Sequence, residues 1–111
     1  MATITNIYID QGTSFSNTIT VNDAVGSPLN LSGYTAASQM RKSYSSSVAY
    51  NLNAVIASEV NGQVRITLTP TQSAAIPAGR YLYDVEITSS GGAKTRVVEG
   101  IVVVTPEITK I

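Results

Sequence analysis

The feature that most constrains the fold is the stretch PAGRYLYDV, at residues 77–85. A short turn ends at Gly79, and the run that follows has tyrosines at two alternate positions, Tyr81 and Tyr83. Because successive side chains of a strand point to opposite faces, Tyr81, Tyr83 and Val85 share one face. Such a run, reached through Pro and Gly, predicts a central strand of an antiparallel β-sandwich.

The rest of the chain consists of short runs in which apolar and polar residues alternate, separated by clusters of Gly, Pro, Asn, Asp and Ser. This pattern predicts seven or eight strands, among them single strands at 4–9 and 50–56, and a hairpin at Asn61-Gly62 with positive φ angles. A short helical turn is expected at 71–76, capped by Thr71. The predicted fold is an all-β, antiparallel two-sheet β-sandwich with immunoglobulin-like topology, and a barrel is its main competitor.

The length of the chain and its uniform composition predict a single domain. It has 111 residues, enough to bury about 60–70% of the surface that the unfolded form exposes. No internal repeat and no change in composition marks a linker. We therefore expect one immunoglobulin-like domain over 1–111, in which 106–111 is either a tail or a docking strand.

The composition excludes several classes of function. The sequence has no His and no Cys, which removes thiol chemistry, disulfides and the zinc sites that those residues form, and no cofactor is predicted. Seven Lys and Arg balance seven Asp and Glu without a basic run, so nucleic acid is not a predicted partner. No segment reaches the ~20 apolar residues of a membrane helix, and the first residues lack a Sec signal, so we expect a soluble protein made in the cytoplasm. A low charge favours association, including association with copies of itself.

Four residues are predicted to serve the fold. Tyr81 occupies the place of the corner tyrosine of immunoglobulin-type domains, two residues before Tyr83, and its hydroxyl is expected to bond the backbone near 71–74. Tyr83 and Phe15 are expected in the core, and Gly79 in the turn that precedes the strand.

Three apolar residues fall on the outward faces of their predicted strands, namely Leu82, Ile101 and Val103. Scattered exposed apolar residues are common on monomers, and a cluster of them is equally typical of a contact surface. Both interpretations stay open for these three residues.

Two tyrosines, Tyr44 and Tyr50, flank the serine tract 45–47. They are candidates for stacking on a sugar ring. No acidic or amide cluster lies near them in the sequence, which favours packing of the loop instead.

Three carboxylates, Asp84, Glu86 and Glu99, are predicted on a solvated outer face, where basic residues such as Arg65 and Arg96 pair with them across strands. The alternative is a catalytic carboxylate pair of the kind used in glycoside hydrolysis, which needs a cleft. No enzymatic activity is predicted, and no metal site.

Five motifs follow one another in a fixed order. They are QGTSF at 11–15, LNLSGYTA at 29–36, LTPTQ at 68–72, PAGRY at 77–81 and VEG at 98–100. In this order and spacing the chain, from about residue 8 to residue 109, resembles a family of small virion proteins of tailed phages that is frequent in contractile-tailed phages of cyanobacteria. It is also similar to the immunoglobulin-like N-terminal domain of phage baseplate upper proteins.

The resemblance implies a non-enzymatic building block of a phage particle, at the tail, the baseplate or a fibre attachment point. Its expected partners are other virion proteins and copies of itself, and its expected location is the virion. The alternative function is a carbohydrate-binding module that contacts the host surface.

Overall fold

A computed structural model describes residues 3–23 and 25–108 of the protein, and within them the chain forms two facing β-sheets and one short helix. The elements are β1 (Thr3–Ile4), β2 (Ile7–Asp10), β3 (Phe15–Thr20), β4 (Thr35–Arg41), β5 (Tyr50–Asn51), β6 (Val55–Ser58), β7 (Gln63–Leu68), α1 (Pro70–Ala74), β8 (Gly79–Thr88) and β9 (Lys94–Thr105). The first sheet has the order β1-β9-β8-β4-β5, with β2 also paired to β9, and the second has the order β3-β7-β6.

The predicted all-β sandwich is confirmed, and the two separate sheets exclude the barrel. Strands β4, β8 and β9 take the places of the C, F and G strands of an immunoglobulin-type sandwich, and β3, β6 and β7 those of B, D and E. Every second residue of β8 is buried, as the alternation in the sequence predicts. The core between the sheets is formed by aliphatic residues of both sheets together with Met40, Tyr81 and Tyr83.

The single strand expected at 4–9 is wrong, because the chain breaks it at Thr5 and Asn6 into β1 and β2. Both pieces pair with β9 in parallel, whereas the prediction was an antiparallel sheet. The first segment runs beside the last strand in the same direction. The Thr5 N–H still donates to the Glu99 carbonyl at 2.9 Å, and the ladder is interrupted beyond it, where the chain passes Gly100 and Asn6 bonds β9 through its side chain.

The single strand expected at 50–56 is also wrong. It divides into β5 in the first sheet and β6 in the second, and the chain changes sheet at Asn53, which has a φ of 53°. Asn tolerates this left-handed conformation better than most residues. The Asn53 backbone N–H donates to Asn51 Oδ1 at 2.8 Å, and its Nδ2 donates to the Thr67 carbonyl and to Gln72 Oε1, both at 3.0 Å.

The helical turn lies at Pro70–Ala74, and Thr69 caps it rather than Thr71. Thr69 Oγ1 accepts from the Gln72 N–H at 3.2 Å, while the Gln72 side chain accepts from the Thr69 N–H at 2.9 Å, which forms a capping box. Proline is favoured at the first helical position, and the cap precedes it. Thr71 is therefore already inside the helix.

The predicted hairpin joins β6 to β7 through residues 59–62. Of Asn61 and Gly62 only Gly62 has a positive φ, 66°, so the expectation of two such residues is wrong. A Cβ at Gly62 would lie 2.5 Å from the Val21 carbonyl oxygen and 2.7 Å from that of Leu29. Gly62 is thus required both by the turn and by the close approach of the neighbouring backbone.

Beyond β9 the structure describes Pro106, Glu107 and Ile108; the rest of the expected tail, 109–111, lies outside the described residues. Ile108 is almost fully exposed. Within the described ranges no helix has the length and apolar character needed to cross a membrane.

Candidate interaction surface

Tyr81 ties the start of β8 to the turn before it. Its hydroxyl donates to the Pro77 carbonyl at 2.6 Å, so the acceptor lies four residues upstream and not at 71–74, as the sequence suggested. The Tyr50 ring meets the Tyr81 ring edge-on at 5.9 Å, and Lys42 Nζ lies 4.4 Å from the Tyr81 ring centroid. Burial, and then the neighbouring Tyr50, raise the pKa of Tyr81. Tyr50 is half-buried against Tyr81, so its ring is occupied within the fold.

Gly79 and Phe15 also lie where the fold uses them. Gly79 has a φ of 145°, and a Cβ there would lie 2.5 Å from the Lys42 ammonium that covers Tyr81. Phe15 is half-buried and packs against the core from the start of β3.

Tyr83 anchors the break between β1 and β2. Its hydroxyl donates to the Thr5 carbonyl at 2.6 Å, and burial raises the pKa of this phenol to about 12. Tyr83 stands opposite Gly100 in the β8–β9 ladder, and a Cβ on Gly100 would lie only 2.1 Å from the same Thr5 oxygen. On the other side of the crossing, the Ile101 N–H donates to Asn6 Oδ1 at 3.1 Å. The hydrogen bonds of Tyr83 and Asn6 thus hold the first segment against β9, and Gly100 leaves the space that the Thr5 carbonyl occupies.

The structure brings Leu82, Ile101 and Val103 together on the outer face of the first sheet, and we call them the outer apolar cluster. Leu82 and Ile101 are directly opposite each other on β8 and β9, and Val103 pairs with Tyr8 of β2. All three are half-buried rather than freely exposed.

Two residues that the sequence analysis did not single out extend the outer apolar cluster. Ile4 is 76% exposed and Tyr8 is 70% exposed, and both lie beside the outward residues of β9. The signal for Tyr8 was present: Ile7 and Ile9 take the inner face of the first segment, which leaves Tyr8 outside. The cluster and these two residues form a stripe across four strands, β1, β2, β9 and β8.

An open groove of about 700 Å³ runs beside the cluster on the same face, and we call it the outer groove. It is lined by side chains from β1, β4, β8, β9 and the loop after β4. Its apolar lining comes from Ile4, Leu82 and Ile101, and its polar lining from Asn6, Gln39, Arg41, Tyr44, Asp84, Glu86, Arg96 and Glu99.

The three predicted carboxylates line the outer groove together, and two of them, Asp84 and Glu99, share one cation. Arg96 Nε lies 3.2 Å from Asp84 Oδ2, and an Arg96 terminal nitrogen lies 4.0 Å from Glu99 Oε2. Asp84 and Glu99 are directly opposite each other on β8 and β9. Arg65, expected to pair with them, lies on β7 in the other sheet, so that expectation is wrong. Among residues 3–23 and 25–108, no group of three such side chains is arranged to hold a metal ion.

Asp84 forms an ion pair with Arg96, but its partial burial disfavours the charged form of the carboxyl group. Burial raises the pKa of Asp84 above its ordinary value, and Glu86 adds to the rise, while Arg96 acts in the opposite direction. Because the folded protein binds this proton more tightly than the unfolded chain, protonation of Asp84 adds to the free energy of unfolding. This contribution is complete at a pH below the ordinary pKa of an aspartate. It is lost as the pH rises through the raised pKa.

Asp84→Asn is therefore expected to raise the thermal unfolding midpoint at pH 7, because a neutral amide avoids the cost of a half-buried charge. The gain should shrink as the pH falls below the ordinary range of an aspartate. Calorimetry from neutral to acid pH measures both effects. Glu59→Gln, at an exposed carboxylate in the β6–β7 turn, is the matched charge control. A lower midpoint for Asp84→Asn at pH 7 would show that the pair with Arg96 outweighs burial.

Tyr44 is 79% exposed and lies at the outer groove, whereas Tyr50 packs on Tyr81. From the sequence, no acidic or amide cluster was expected near these tyrosines. The structure places Asn6, Gln39 and Asp84 around the same groove as Tyr44, because β4 and β8 are neighbours and β1, which Asn6 follows, pairs with β9 on the other side of β8.

Comparisons with known proteins add little to this geometry. No protein-family model matches the chain, and no curated protein matches it. Among solved structures, a family 123 glycoside hydrolase from Clostridium perfringens, studied for glycolipid glycan hydrolysis, is similar with a TM-score of 0.41 and 9% identity. The match covers 97% of this chain and 24% of the hydrolase, so the chain spans about a quarter of that protein. At this TM-score the likeness supports no argument about activity.

Proposed function

We propose that the protein is a non-enzymatic structural component of a tailed-phage virion, which acts through protein–protein contacts at the tail, the baseplate or a fibre attachment point. The ordered motifs of the sequence suggest the class of particle. The observation that carries the contact role is the stripe of Ile4, Tyr8 and the outer apolar cluster on one face of a rigid sheet.

The physical case rests on what a neighbouring protein would gain from covering this stripe. Apolar surface removed from water contributes about 25 cal/mol per Å², and interface centres are rich in tyrosine and large apolar side chains. The sheet behind the stripe is fixed by β8 and β9, which pair along ten residues of β8. A partner therefore meets a surface that loses little freedom on binding, which favours affinity.

Ile101→Lys tests the proposal, because it places a charge at the centre of the outer apolar cluster. We expect incorporation of the variant into particles to fall at least tenfold, measured by quantitative mass spectrometry of purified virions from hosts that make the variant alone. Ala37→Lys makes the same change in charge on the outer face of β4, outside the cluster, and should incorporate normally. Thermal unfolding establishes that both variants fold. Unchanged incorporation of Ile101→Lys would refute the contact role, and absence of the wild-type protein from purified particles would refute the virion assignment.

A second function, binding of carbohydrate on the host surface, is favoured by one observation. The exposed Tyr44 ring lies at a groove with the amides of Asn6 and Gln39 and the carboxylate of Asp84, and aromatic rings with polar neighbours suit sugar rings. Binding to a glycan array that is lost in Tyr44→Ala, and kept in Val48→Ala in the same loop, is the expected result for this function. No binding by the wild-type protein would remove it.

A further inference from the structure

Among the strands formed by residues 3–23 and 25–108, β3 is the one long sheet edge that carries none of the usual protection. The other edges are blunted: β5 has two residues, β1 and β2 are interrupted at Thr5 and Asn6, and β6 carries a register shift between Ile56 and Ser58. By contrast, β3 pairs with β7 in regular register along all six residues, and its sequence FSNTIT contains no charge and no proline. Natural proteins seldom leave such an edge uncovered.

The backbone groups of β3 that face outward can be identified. Val21 continues the ladder, because its N–H donates to the Gly62 carbonyl at 2.7 Å. In an antiparallel pair, alternate residues direct both N–H and C=O to opposite sides. Phe15, Asn17 and Ile19 therefore bond β7, which leaves Ser16, Thr18 and Thr20 with N–H and C=O groups that point away from the sheet.

The space beside this edge is open. A groove of about 510 Å³ runs along β3 between the two sheets, and Thr3, Thr5 and Arg96 border its opposite side. Ile19 and Ile87 are part of its apolar lining. An added strand would thus meet free backbone groups and the half-buried side chain of Ile19.

We infer that the β3 edge pairs with the β3 edge of a second copy of this chain, antiparallel across a two-fold axis at Thr18. The outward residues are symmetric about Thr18, so Thr18 meets Thr18 and Ser16 meets Thr20. This register uses all the free groups, in about six hydrogen bonds, and joins two three-stranded sheets into one.

The chemistry of the edge favours a second copy as the occupant. A two-fold axis places strands of identical charge side by side, so a charged strand would repel its own copy. Strand β3 has no charged residue. On the outer face the axis brings together only Ser and Thr side chains, and such cross-strand pairs are favourable. The equal numbers of acidic and basic residues in the whole chain remove long-range repulsion between copies. This pairing rests on the proposed function, in which the protein acts through protein–protein contacts, but it uses a surface separate from the outer apolar cluster.

Because the chain has no cysteine, single cysteines introduced on β3 report the register. In the predicted dimer two Thr18→Cys residues have Cα atoms about 5.5 Å apart, within disulfide range. Mild oxidation should convert Thr18→Cys to a covalent dimer at least ten times faster than Thr20→Cys, whose partner on the second copy is Ser16. A mixture of Ser16→Cys and Thr20→Cys should cross-link as heterodimers. Equal rates for Thr18→Cys and Thr20→Cys would overturn the register.

Light scattering of the unmodified chain across a concentration series tests the association itself, and a wild-type dimer is expected. Thr18→Lys opposes two charges at the axis and should weaken the dimer at least tenfold. Val55→Lys lies in the same cross-strand row at the other edge of the sheet, next to Arg65 as Thr18 is, and should dimerise like the wild type. A wild-type monomer up to millimolar concentration, or equal association of both lysine variants, would overturn the inference. Neither result would bear on the contact role of the outer apolar cluster, because the Ile101→Lys incorporation assay tests that role separately.

Discussion

Gly100→Ala is expected to lower the free energy of unfolding by about 3 kcal/mol, at the upper end of the usual cost of overpacking a filled site. The added Cβ would lie 2.1 Å from the Thr5 oxygen and 2.8 Å from the carbonyl carbon, and both are backbone atoms that cannot rotate away. Either β9 or the first segment must move. Movement of the first segment also breaks the Tyr83–Thr5 and Ile101–Asn6 hydrogen bonds. Urea unfolding followed by tyrosine fluorescence measures the loss.

Two controls isolate the cause of that loss. Gly91→Ala is the same substitution in the β8–β9 turn, where the nearest atom to the added Cβ is Ser89 Oγ at 3.9 Å, and it should be near neutral. In a chain that begins at Ile7, and therefore lacks Thr5, Gly100→Ala should cost little. If the alanine is as costly in that shortened chain, the clash with Thr5 is not the reason.

Ser73→Ala is expected to cost about 2 kcal/mol, because it removes the hydroxyl that joins the helix to the turn before β3. Ser73 is fully buried, and its Oγ donates to the Thr13 carbonyl at 2.7 Å and accepts from the Gly12 N–H at 3.1 Å. Alanine leaves both backbone groups without this partner, and a buried unpaired group costs about 1–3 kcal/mol. Equilibrium unfolding in urea measures the difference.

Ser14→Ala is the matched control for Ser73, since Ser14 is an exposed serine of the same turn and its loss should change stability by less than about 0.5 kcal/mol. Equal costs for the two variants would mean that the hydroxyl of Ser73 does not hold the turn. Hydrogen exchange at the Gly12 amide gives a second measurement, and exchange there should quicken in Ser73→Ala alone.

The regular strands could be predicted from the sequence, because alternation is a local property. It assigned the inner faces of β4 and β8 and the outward direction of Leu82, Ile101 and Val103. The breaks could not be predicted in this way. The interruption at Thr5 depends on Gly100 and Tyr83, which lie far along the chain. The change of sheet at Asn53 depends on acceptors at Thr67 and Gln72.

The outer groove was missed for a related reason. Strict alternation from Val98 would direct Arg96 inward, but the β8–β9 register shifts between Val85 and Glu86, so that Glu86 pairs with Arg96 and Val97 is the extra residue. A bulge of this kind turns the following side chains to the other face. Arg96 therefore joins Asp84 and Glu99 outside, as the predicted charge pairing requires, but the bulge that turns it outward is recognised only once β8 and β9 are paired.

The parallel pairing of β2 with β9 has a mechanical consequence. Strand β1 lies beside Val98 and Glu99, in the middle of β9, and the chain leaves after the end of β9, so a pull applied to the two ends of the domain slides β2 along β9 rather than peeling it away. The hydrogen bonds between Ile7–Asp10 and the facing segment of β9 then carry the load together and must fail together. A domain whose first and last strands pair in parallel resists stretching along its length far better than a hairpin opened from one end. Such a domain suits a position where force passes from one neighbouring protein to the next.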